Sequence, residues 1–398
     1  MKKITSRFLI SLAFILLPAI SSAGKLRQVA VLDLPGHPGF ESAVFANGRL
    51  VITHEGADTV DIFDPVKRRL IAQVNGVASP RGLAVDDAAG MVYIASAGSK
   101  SIVVINSNNW RVEGMIGLKY VPENVLVVPG ADALLVTSPR DHSVSLVPTG
   151  TLGQRSAERA TVDVQGKPAG IAWDPQRKIA YVVLEDRSEI ITLDPAKFGE
   201  IAGGYSSSKS ATSAGVTTAN SVSLSTQANV PASVPKPAEA VTQPVPVSTA
   251  AEGVSNPAIG KRIKLAASLP TAIVYEPNSQ RLFVAVRFAV LAIDAETGAE
   301  QARVAAPGGT NALWLVVPSN TLYAAAEDGS VNVINVRANG LVSQSEYRSA
   351  IRGHAMAYDP AKKVMFLTGG RDGKSKLVIL KEMDAVMTPS ANETALKQ

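Results

Sequence analysis

The sequence has no cysteine among its 398 residues, which excludes disulfides, thiolate metal centres and cysteine nucleophiles. Charged residues make up only 18% and aromatic residues 5%, whereas hydrophobic residues reach 46%. A GxSxG motif, a phosphate-binding loop and a glycine-rich dinucleotide motif are also absent. Histidine occurs only four times. The composition therefore favours a large apolar core and offers no motif that identifies an activity.

The first 23 residues differ from the rest of the chain. Basic residues at positions 2, 3 and 7 precede the apolar run Phe8–Ile20, and Ser21-Ser22-Ala23 follow it. This order predicts a secretory signal peptide (residues 1–23) that is cleaved near Ala23, and a mature protein that is periplasmic or secreted. The alternative is a membrane anchor, but the 13 apolar residues are fewer than the roughly 20 that a spanning helix needs.

Removal of this signal peptide changes the charge of the protein. The signal peptide holds three of the 39 basic residues and none of the 34 acidic ones, which leaves 36 against 34 and a net charge of +2. Such a balance provides little general attraction to nucleic acid. No other run is long and apolar enough to span a membrane, so we expect no transmembrane segment in the mature chain. We also expect the protein to be a monomer.

A repeated strand pattern accounts for most of the remaining residues. Between Lys167 and Asp194, three apolar runs are separated by turn residues, which is typical of antiparallel strands. The centres of equivalent second strands are spaced by 42, 42, 46, 102, 40 and 43 residues, and the long interval contains a low-complexity tract. A period of about 42 residues fits the four-stranded blades of a β-propeller. The equivalent centres are Val51, Tyr93, Leu135, Tyr181, Phe283, Tyr323 and Phe366.

The ends of the chain indicate how the ring closes. The seventh unit has only three strands, while a spare apolar strand, Leu26–Leu34, precedes the first unit. Pairing this strand with the last unit would remove two exposed sheet edges. The sequence therefore predicts an all-β protein: a seven-bladed propeller of four-stranded antiparallel blades over residues 24–383, closed by residues 26–34. A linear array of seven sheets is the disfavoured alternative.

Two stretches carry a resemblance to a known family. Ser79–Val112 and Lys167–Asp194 resemble the YVTN-type β-propeller repeat family, which includes YncE-like exported bacterial proteins. The resemblance extends from Lys25 to about Leu380, apart from the low-complexity tract. It implies a propeller but does not specify an activity, because the family includes binding proteins and several types of enzyme. The YVTN tetrapeptide itself is matched only loosely, as in Tyr93-Ile94-Ala95-Ser96.

Two further segments are expected to be flexible. Residues 203–258 are mostly Ser, Thr, Ala, Val, Pro and Gly and show no strand or helix period, so we predict a disordered insert. Its position places it in blade four, between the third strand and a fourth strand at Lys261–Leu265. The insert is either an evolutionary addition without a function or a tether that binds a partner or the cell wall. Residues 384–398 are expected to form a flexible tail.

The loops of the predicted propeller fall on two faces. The loops before the first strand of each blade (4–1 loops) and those between the second and third strands (2–3 loops) share one face around the central channel. All four histidines and several arginines are predicted to lie on this face, which makes the channel mouth the candidate binding site. The opposite face is also polar, so charge alone does not distinguish the two. The candidate binding residues are His37, His54, Arg81, Glu123, Arg140, His142, Arg287, Asn311, His354 and Arg371.

A metal site is one way in which the histidines could function. His37, His54 and His354 belong to blades one and seven, which are neighbours once the ring closes, and imidazoles bind zinc, copper or iron. However, neither an HxH nor an HxxxH spacing occurs. Dispersed histidines are more often hydrogen-bonded loop residues, and the sequence implies no other cofactor.

Three functions follow, in order of preference. The first is a non-enzymatic exported propeller that binds a ligand, peptide or protein partner at the channel mouth. The second is a hydrolytic enzyme, because lactonases occur on similar rings and Glu123 with Arg81 or His142 could form an acid–base pair. The third is single-stranded nucleic-acid binding, which the sequence argues against, because Phe40 and Phe288 are the only aromatic residues on the predicted rim. Trp173 and Trp314 occupy first-strand positions and are expected to pack between blades.

Overall fold

A computed structural model of the chain describes residues 25–198 and 256–383. These residues form seven four-stranded antiparallel sheets. The prediction of a seven-bladed β-propeller is therefore confirmed. The predicted signal peptide, most of the predicted insert and the predicted tail lie outside the described residues.

Blades 1 to 3 follow one another along the chain, and each sheet is a meander of four consecutive strands. The blade 1 strands are β2 (Ala43–Ala46), β3 (Arg49–His54), β4 (Thr59–Asp64) and β5 (Arg69–Asn75); those of blade 2 are β6 (Pro80–Asp86), β7 (Met91–Ser96), β8 (Ser101–Asn106) and β9 (Arg111–Gly117); those of blade 3 are β10 (Val125–Val128), β11 (Ala133–Ser138), β12 (Ser143–Pro148) and β13 (Ala160–Asp163).

Blades 4 to 6 repeat this arrangement, and blade 7 takes its fourth strand from the start of the chain. The blade 4 strands are β14 (Pro168–Asp174), β15 (Ile179–Leu184), β16 (Glu189–Leu193) and β17 (Ile259–Lys264); those of blade 5 are β18 (Ala272–Glu276), β19 (Arg281–Val286), β20 (Ala289–Asp294) and β21 (Glu300–Ala305); those of blade 6 are β22 (Thr310–Val316), β23 (Thr321–Ala326), β24 (Ser330–Arg337) and β25 (Gly340–Arg348); those of blade 7 are β26 (Met356–Asp359), β27 (Val364–Arg371), β28 (Lys374–Glu382) and β1 (Leu26–Leu34).

Ring closure occurs as the sequence predicts. Strand β1 pairs antiparallel with β28, from Leu26 opposite Glu382 to Leu34 opposite Ser375. The pairing satisfies the backbone groups of β28 on its outer edge, which would otherwise attract other strands. An ion pair between Asp33 and Lys376 adds to the contact. The first and last strands of the fold therefore belong to one sheet.

Apolar side chains fill the space between neighbouring blades, because both faces of each sheet are covered. Trp173 packs among residues of blades 3 and 4, and Trp314 packs in the cluster that spans blades 6, 7 and 1. Both tryptophans are buried, with 6% and 9% of their surface exposed. The prediction that they lie between blades is confirmed.

The boundary of the insert differs slightly from the prediction. The last three residues of the predicted insert, 256–258, are described, and Ala258 is fully buried. The Ala258 carbonyl oxygen accepts a hydrogen bond of 2.9 Å from the Asp194 backbone amide. Strand β17 consequently begins at Ile259, two residues earlier than expected. The sequence missed this because the residues before the strand share the small-residue composition of the tract that precedes them.

Helix contributes almost nothing to the described chain. The described residues form four short 3₁₀ turns, and one of them, Glu55–Ala57, carries Glu55 to the channel mouth. None of the helical segments between residues 25 and 198 or 256 and 383 has the length and apolar character needed to cross a membrane.

Candidate functional site

One residue from each blade surrounds the channel at the end where the first strands begin. In blade 1, Val51 is the centre of the second strand and pairs with Val44 of the first strand. The residue in question is the one three positions before that first-strand partner, which is Glu41 in blade 1. We call these seven equivalent positions the channel ring. Its members are Glu41, Arg81, Glu123, Ala169, Thr271, Asn311 and His354.

In blades 1 to 3, the ring members are charged and contact one another through Arg81. The Arg81 guanidinium lies 3.2 Å from Glu41 Oε1 through Nη1 and 2.6 Å from Glu55 Oε1 through Nη2. Its Nε lies 4.0 Å from Glu123 Oε2. Only 16% of the Arg81 side chain is exposed. Three carboxyl groups therefore share one partly buried guanidinium.

This excess of carboxyl groups shifts their protonation. Burial raises the pKa of Glu41 well above its ordinary value, and Glu123 and Glu55 raise it further, whereas Arg81 lowers it. Burial also raises the pKa of Glu123 to about 7, and Glu55 adds to this, against the opposing effect of Arg81 and Arg140. A carboxyl group removed from water favours its neutral form. At neutral pH the cluster therefore holds protons that exposed glutamates would have released.

In blades 4 to 7, the ring members are neutral at neutral pH, and hydrogen bonds join blades 4, 5 and 6. The Gly170 amide donates to the Thr271 carbonyl oxygen at 3.0 Å, and Thr271 Oγ1 donates to the Thr310 carbonyl oxygen at 2.7 Å. A Cβ atom on Gly170 would lie only 2.9 Å from the Thr271 oxygen, so this approach requires glycine. Asn311 Nδ2 donates to Glu327 Oε1 at 2.6 Å.

His354 is the ring member of blade 7 and is buried. Desolvation lowers the pKa of His354 to about 4, so the imidazole is neutral at neutral pH. Its Nε2 atom is buried and has no hydrogen-bond partner among the described residues. Buried polar atoms normally have a partner, and this exception marks a place where a ligand or water could bind.

A cavity of about 840 Å³ opens at the channel mouth beside His354. It lies between blades 1, 6 and 7 and is lined by 4–1 and 2–3 loops, as the predicted loop geometry requires. Its volume is within the range of sites that bind small molecules. The side chains that line it are Pro38, Phe40, Glu41, Glu55, Glu327, Ala350, Arg352, His354, Arg371 and Asp372.

The structure places His54 in the core, which corrects its predicted position on the rim. His54 is fully buried, with Nδ1 at 2.9 Å from Asp61 Oδ2 and Nε2 at 2.7 Å from the His37 carbonyl oxygen. Its ring stacks on Phe40 at a centroid distance of 4.0 Å. Both nitrogens face acceptors inside the protein. His54 therefore fixes the seam between blades 1 and 7 and offers no nitrogen to a ligand.

Ser375, His54 and Asp61 resemble a hydrolase triad in their order but not in their hydrogen bonds. The Ser375 Oγ atom lies 3.2 Å from His54 Nε2. However, the Nε2 hydrogen is directed to a carbonyl oxygen, which can only accept, and the Ser375 hydroxyl donates to the Gly36 carbonyl oxygen at 3.0 Å. All three residues are buried. His54 thus cannot accept the serine proton as a general base would.

The remaining predicted residues lie in separate places. His37, Arg140, His142 and Arg287 are exposed outside the strands, and Arg371 is exposed at the end of β27. Arg371 alone among these lines the cavity. His142 ends a 3₁₀ turn in a left-handed conformation with φ of 50°. The structure therefore brings together Arg81 and Glu123 at one side of the mouth and His354 and Arg371 at the other.

The three histidines proposed as metal ligands have different environments. His37 is exposed, His54 has both ring nitrogens in hydrogen bonds within the protein, and His354 is buried. Within residues 25–198 and 256–383, no three His, Asp or Glu side chains are arranged to hold a metal ion. The predicted metal site remains a prediction that these contacts do not support. On the predicted rim, Phe40 is buried and Phe288 is 64% exposed, which leaves one exposed ring for base stacking.

Five charged residues of the site were not among the predicted binding residues: Glu41, Glu55, Glu327, Arg352 and Asp372. Glu41 is equivalent to Arg81 and Glu123, so an alignment of the three blades on their first-strand pairing would have found it. The other four residues occupy the predicted loops, but nothing in their local sequence distinguishes them from other polar loop residues. The cavity identifies all four, and Glu55 also contacts Arg81.

No protein-family model matches this chain, and no curated protein matches it in sequence. Solved structures do match it. A chain in the crystal structure of the mitotic checkpoint complex aligns with a TM-score of 0.62 and 10% sequence identity, over 96% of this chain and 100% of that one. At this identity the similarity shows the propeller fold alone.

Proposed function

We propose that this chain is a non-enzymatic, exported propeller of the YVTN type that binds a ligand, peptide or protein partner at the channel mouth. The observation that supports binding is the cavity of about 840 Å³ between blades 1, 6 and 7. Two buried polar atoms at its wall, Glu41 Oε2 and His354 Nε2, have no hydrogen-bond partner among the described residues. A ligand that contacts them would compensate the cost of their burial.

Two considerations support the wider proposal. Propellers commonly present loops on a rigid ring to their partners, and a structural neighbour is a chain in the crystal structure of the mitotic checkpoint complex. Export is supported by the pattern of residues 1–23. Export can be tested by producing the protein in a bacterial host, separating the cell fractions and measuring the mass of the intact protein in each fraction. The expected result is loss of the first 23 residues and recovery outside the cytoplasm, and an uncleaved cytoplasmic product would contradict it.

A steric block tests the binding site. Ala350 is exposed and lines the cavity, so Ala350→Trp should fill the mouth without disturbing the core. Ala361→Trp is the matched control, because Ala361 is exposed in the loop of the same blade on the opposite face. We expect thermal-shift screening of small molecules and peptides to find ligands that Ala350→Trp loses and Ala361→Trp retains. A screen whose ligands are unaffected by Ala350→Trp would contradict the proposal.

Hydrolysis is the second candidate because Glu123 is a largely buried carboxyl group at the channel ring, with Oε2 at 4.0 Å from Arg81 Nε, and its burial raises its pKa. A carboxyl group with a pKa of about 7 next to Arg81 and Arg140 has the properties of a general base at neutral pH. A panel of lactones tests this candidate. Turnover that is lost in Glu123→Gln, with the fold intact, would favour an enzyme, whereas no turnover of any lactone would count against one.

A further inference from the structure

Two side chains in the cavity carry buried atoms without partners. Glu41 is 3% exposed and His354 is 6% exposed, and both line the cavity. Glu41 Oε1 accepts from Arg81 at 3.2 Å, and the carboxyl groups of Glu41 and Glu55 form a side-chain hydrogen bond that requires a proton. Without that proton, Glu41 Oε2 has no partner among the described residues, and neither has His354 Nε2. These two atoms are therefore the polar groups that a ligand in the cavity would satisfy.

Both groups can accept hydrogen bonds. An ionised carboxylate is an acceptor only, and a neutral imidazole has one nitrogen that accepts. The imidazole of His354 is neutral at neutral pH because its burial lowers its pKa. A ligand with several N–H donors on one atom suits this pair better than a ligand that only accepts.

The charges of the cavity are uneven. At the rim, Arg371 Nε lies 3.4 Å from Asp372 Oδ2, and Arg352 acts electrostatically on Glu327, so each arginine has an acidic neighbour. On the inner wall, Arg81 is the only cation that pairs with Glu41 and Glu55 among the described residues, and Glu123 also approaches it. The inner end therefore has more carboxyl groups than cations, and it becomes negative when Glu41 gives up its proton, which a positive ligand favours.

We infer that the cavity binds a small organic cation whose primary ammonium group donates to Glu41 Oε2 and lies beside His354 Nε2. This inference rests on the proposed binding function and names its ligand class. The alkyl part of such a ligand would contact the apolar wall formed by Pro38, Phe40 and Ala350. An anion has no N–H or O–H group to donate to the Glu41 carboxylate. A divalent metal ion would need the place between the carboxyl groups, and Arg81 already occupies that place.

Binding of such a cation is coupled to a proton. The groups that face Glu41 are Arg81 from blade 2, Glu123 from blade 3 and Glu55 from its own blade, and together with burial they raise its pKa. An ammonium group favours the ionised carboxylate, so the ligand displaces a proton from the cluster as it binds. Affinity consequently falls as the pH decreases below neutrality.

Calorimetry with n-pentylamine, 1-pentanol and pentanoate tests the inference on the full mature chain. The three probes have the same chain length and differ in the charge of the head group. We expect n-pentylamine to bind at least tenfold more tightly than the other two, with proton release detected in buffers of different ionisation enthalpy. Equal or tighter binding of 1-pentanol or pentanoate would overturn the inference.

Variants locate the binding. Glu41→Gln keeps the side-chain size and should weaken n-pentylamine binding at least tenfold and abolish the proton release. Asp132→Asn, at an exposed acidic residue in the 1–2 loop of blade 3, should bind as the wild type does. If Glu41→Gln fails to fold, as judged by circular dichroism, Ala350→Trp replaces it and should also weaken binding at least tenfold. Retained binding in the folded variant would overturn the inference.

The outcome is distinguishable from failure of the proposed function. If neutral or anionic ligands bind the wild type but not Ala350→Trp, and no amine binds, the inferred ligand class is wrong but the proposed binding site is supported. If no ligand of any charge is lost in Ala350→Trp, the binding site itself is refuted.

Discussion

The two halves of the channel ring use different chemistry at equivalent backbone positions. In blades 1 to 3, Glu41, Arg81 and Glu123 form a charged cluster with Glu55. In blades 4 to 7, alanine, threonine, asparagine and a neutral histidine occupy the same positions, and neutral hydrogen bonds connect blades 4, 5 and 6. The comparison teaches that the propeller backbone does not require charge at the ring, because half of the ring holds together without it.

The largest expected effect comes from removing the one guanidinium of the charged half. Arg81→Ala leaves Glu41, Glu55 and Glu123 without their shared cation, and removal of one partner from a buried ion pair costs about 3–5 kcal/mol. We expect the free energy of unfolding in urea at pH 8 to fall by about 3 kcal/mol or more.

The pH dependence of this loss provides a check. At low pH the three carboxyl groups take up protons, so the effect of Arg81→Ala should shrink. Arg287→Ala is the matched control, because Arg287 is exposed on the same face but belongs to blade 5, outside the charged half, and it should leave the free energy of unfolding nearly unchanged. A loss below about 1 kcal/mol at pH 8 would show that the guanidinium is not needed to hold the cluster.

The second effect distinguishes His354 by its response to acid. Its pKa is lowered from 6.5 to about 4, so the folded state binds this proton less tightly than the unfolded chain does. The resulting stability is present above about pH 6.5 and is lost as the pH falls towards 4. Between pH 7 and pH 4, the wild type should lose on the order of 3 kcal/mol more than His354→Asn. His142→Asn, at an exposed histidine, should follow the wild type, and equal losses in all three proteins would disprove the role of His354.

The third effect has the opposite sign and belongs to the charged half. Burial raises the pKa of Glu123 from 4.5 to about 7, so the folded state binds this proton more tightly than the unfolded chain does. The associated stability is complete below about pH 4.5 and is lost as the pH rises through about 7. From pH 5 to pH 8, the wild type should lose about 1–3 kcal/mol that Glu123→Gln retains. Urea titrations at both pH values measure this, with Asp132→Asn as control; parallel curves for Glu123→Gln and the wild type would contradict it.

The smallest effect is expected in the neutral half. Thr271→Val removes the hydrogen bond of 2.7 Å to the Thr310 carbonyl oxygen but keeps the shape of the side chain. The free energy of unfolding should decrease by about 1 kcal/mol, the usual contribution of one neutral hydrogen bond. This value should not vary between pH 5 and pH 8. If Thr271→Val lowered the free energy of unfolding as much as Arg81→Ala does, the proposed energetic difference between the charged and neutral halves of the ring would be wrong.

Most of the fold could be predicted because the blades repeat. The strand period, the spare strand Leu26–Leu34 and the place of the insert follow from spacing and turn residues, and these features depend on local sequence. Charged ring members were harder to align. Glu41 was missed because the hairpin between β2 and β3 has only two residues, Asn47 and Gly48, whereas the equivalent turn of blade 2 has four. Because of the shorter turn, the ring residue of blade 1 is two residues closer to the centre of its second strand than the ring residue of blade 2 is.

The environment of His54 could not be predicted from its neighbours in sequence. It ends β3, where a loop residue at the rim was expected, and it is buried because Ser375 and the segment Gly36-His37 cover it. Ser375 is 321 positions away along the chain. The cavity at the mouth is a further property of the closed ring, because its lining comes from three blades.

The pairing of β1 with β28 also has a consequence for biosynthesis. Of the strands in the seven blades, β1 is translated first and β28 last, so β1 has no hydrogen-bonding partner in its own sheet until all seven blades have been synthesised. During that interval the edge of β1 is open to other nascent chains. Strand β1 carries charged residues at Arg27 and Asp33, and charges on an open edge discourage such pairing. The charges on β1 therefore matter most in the time between the synthesis of these two strands.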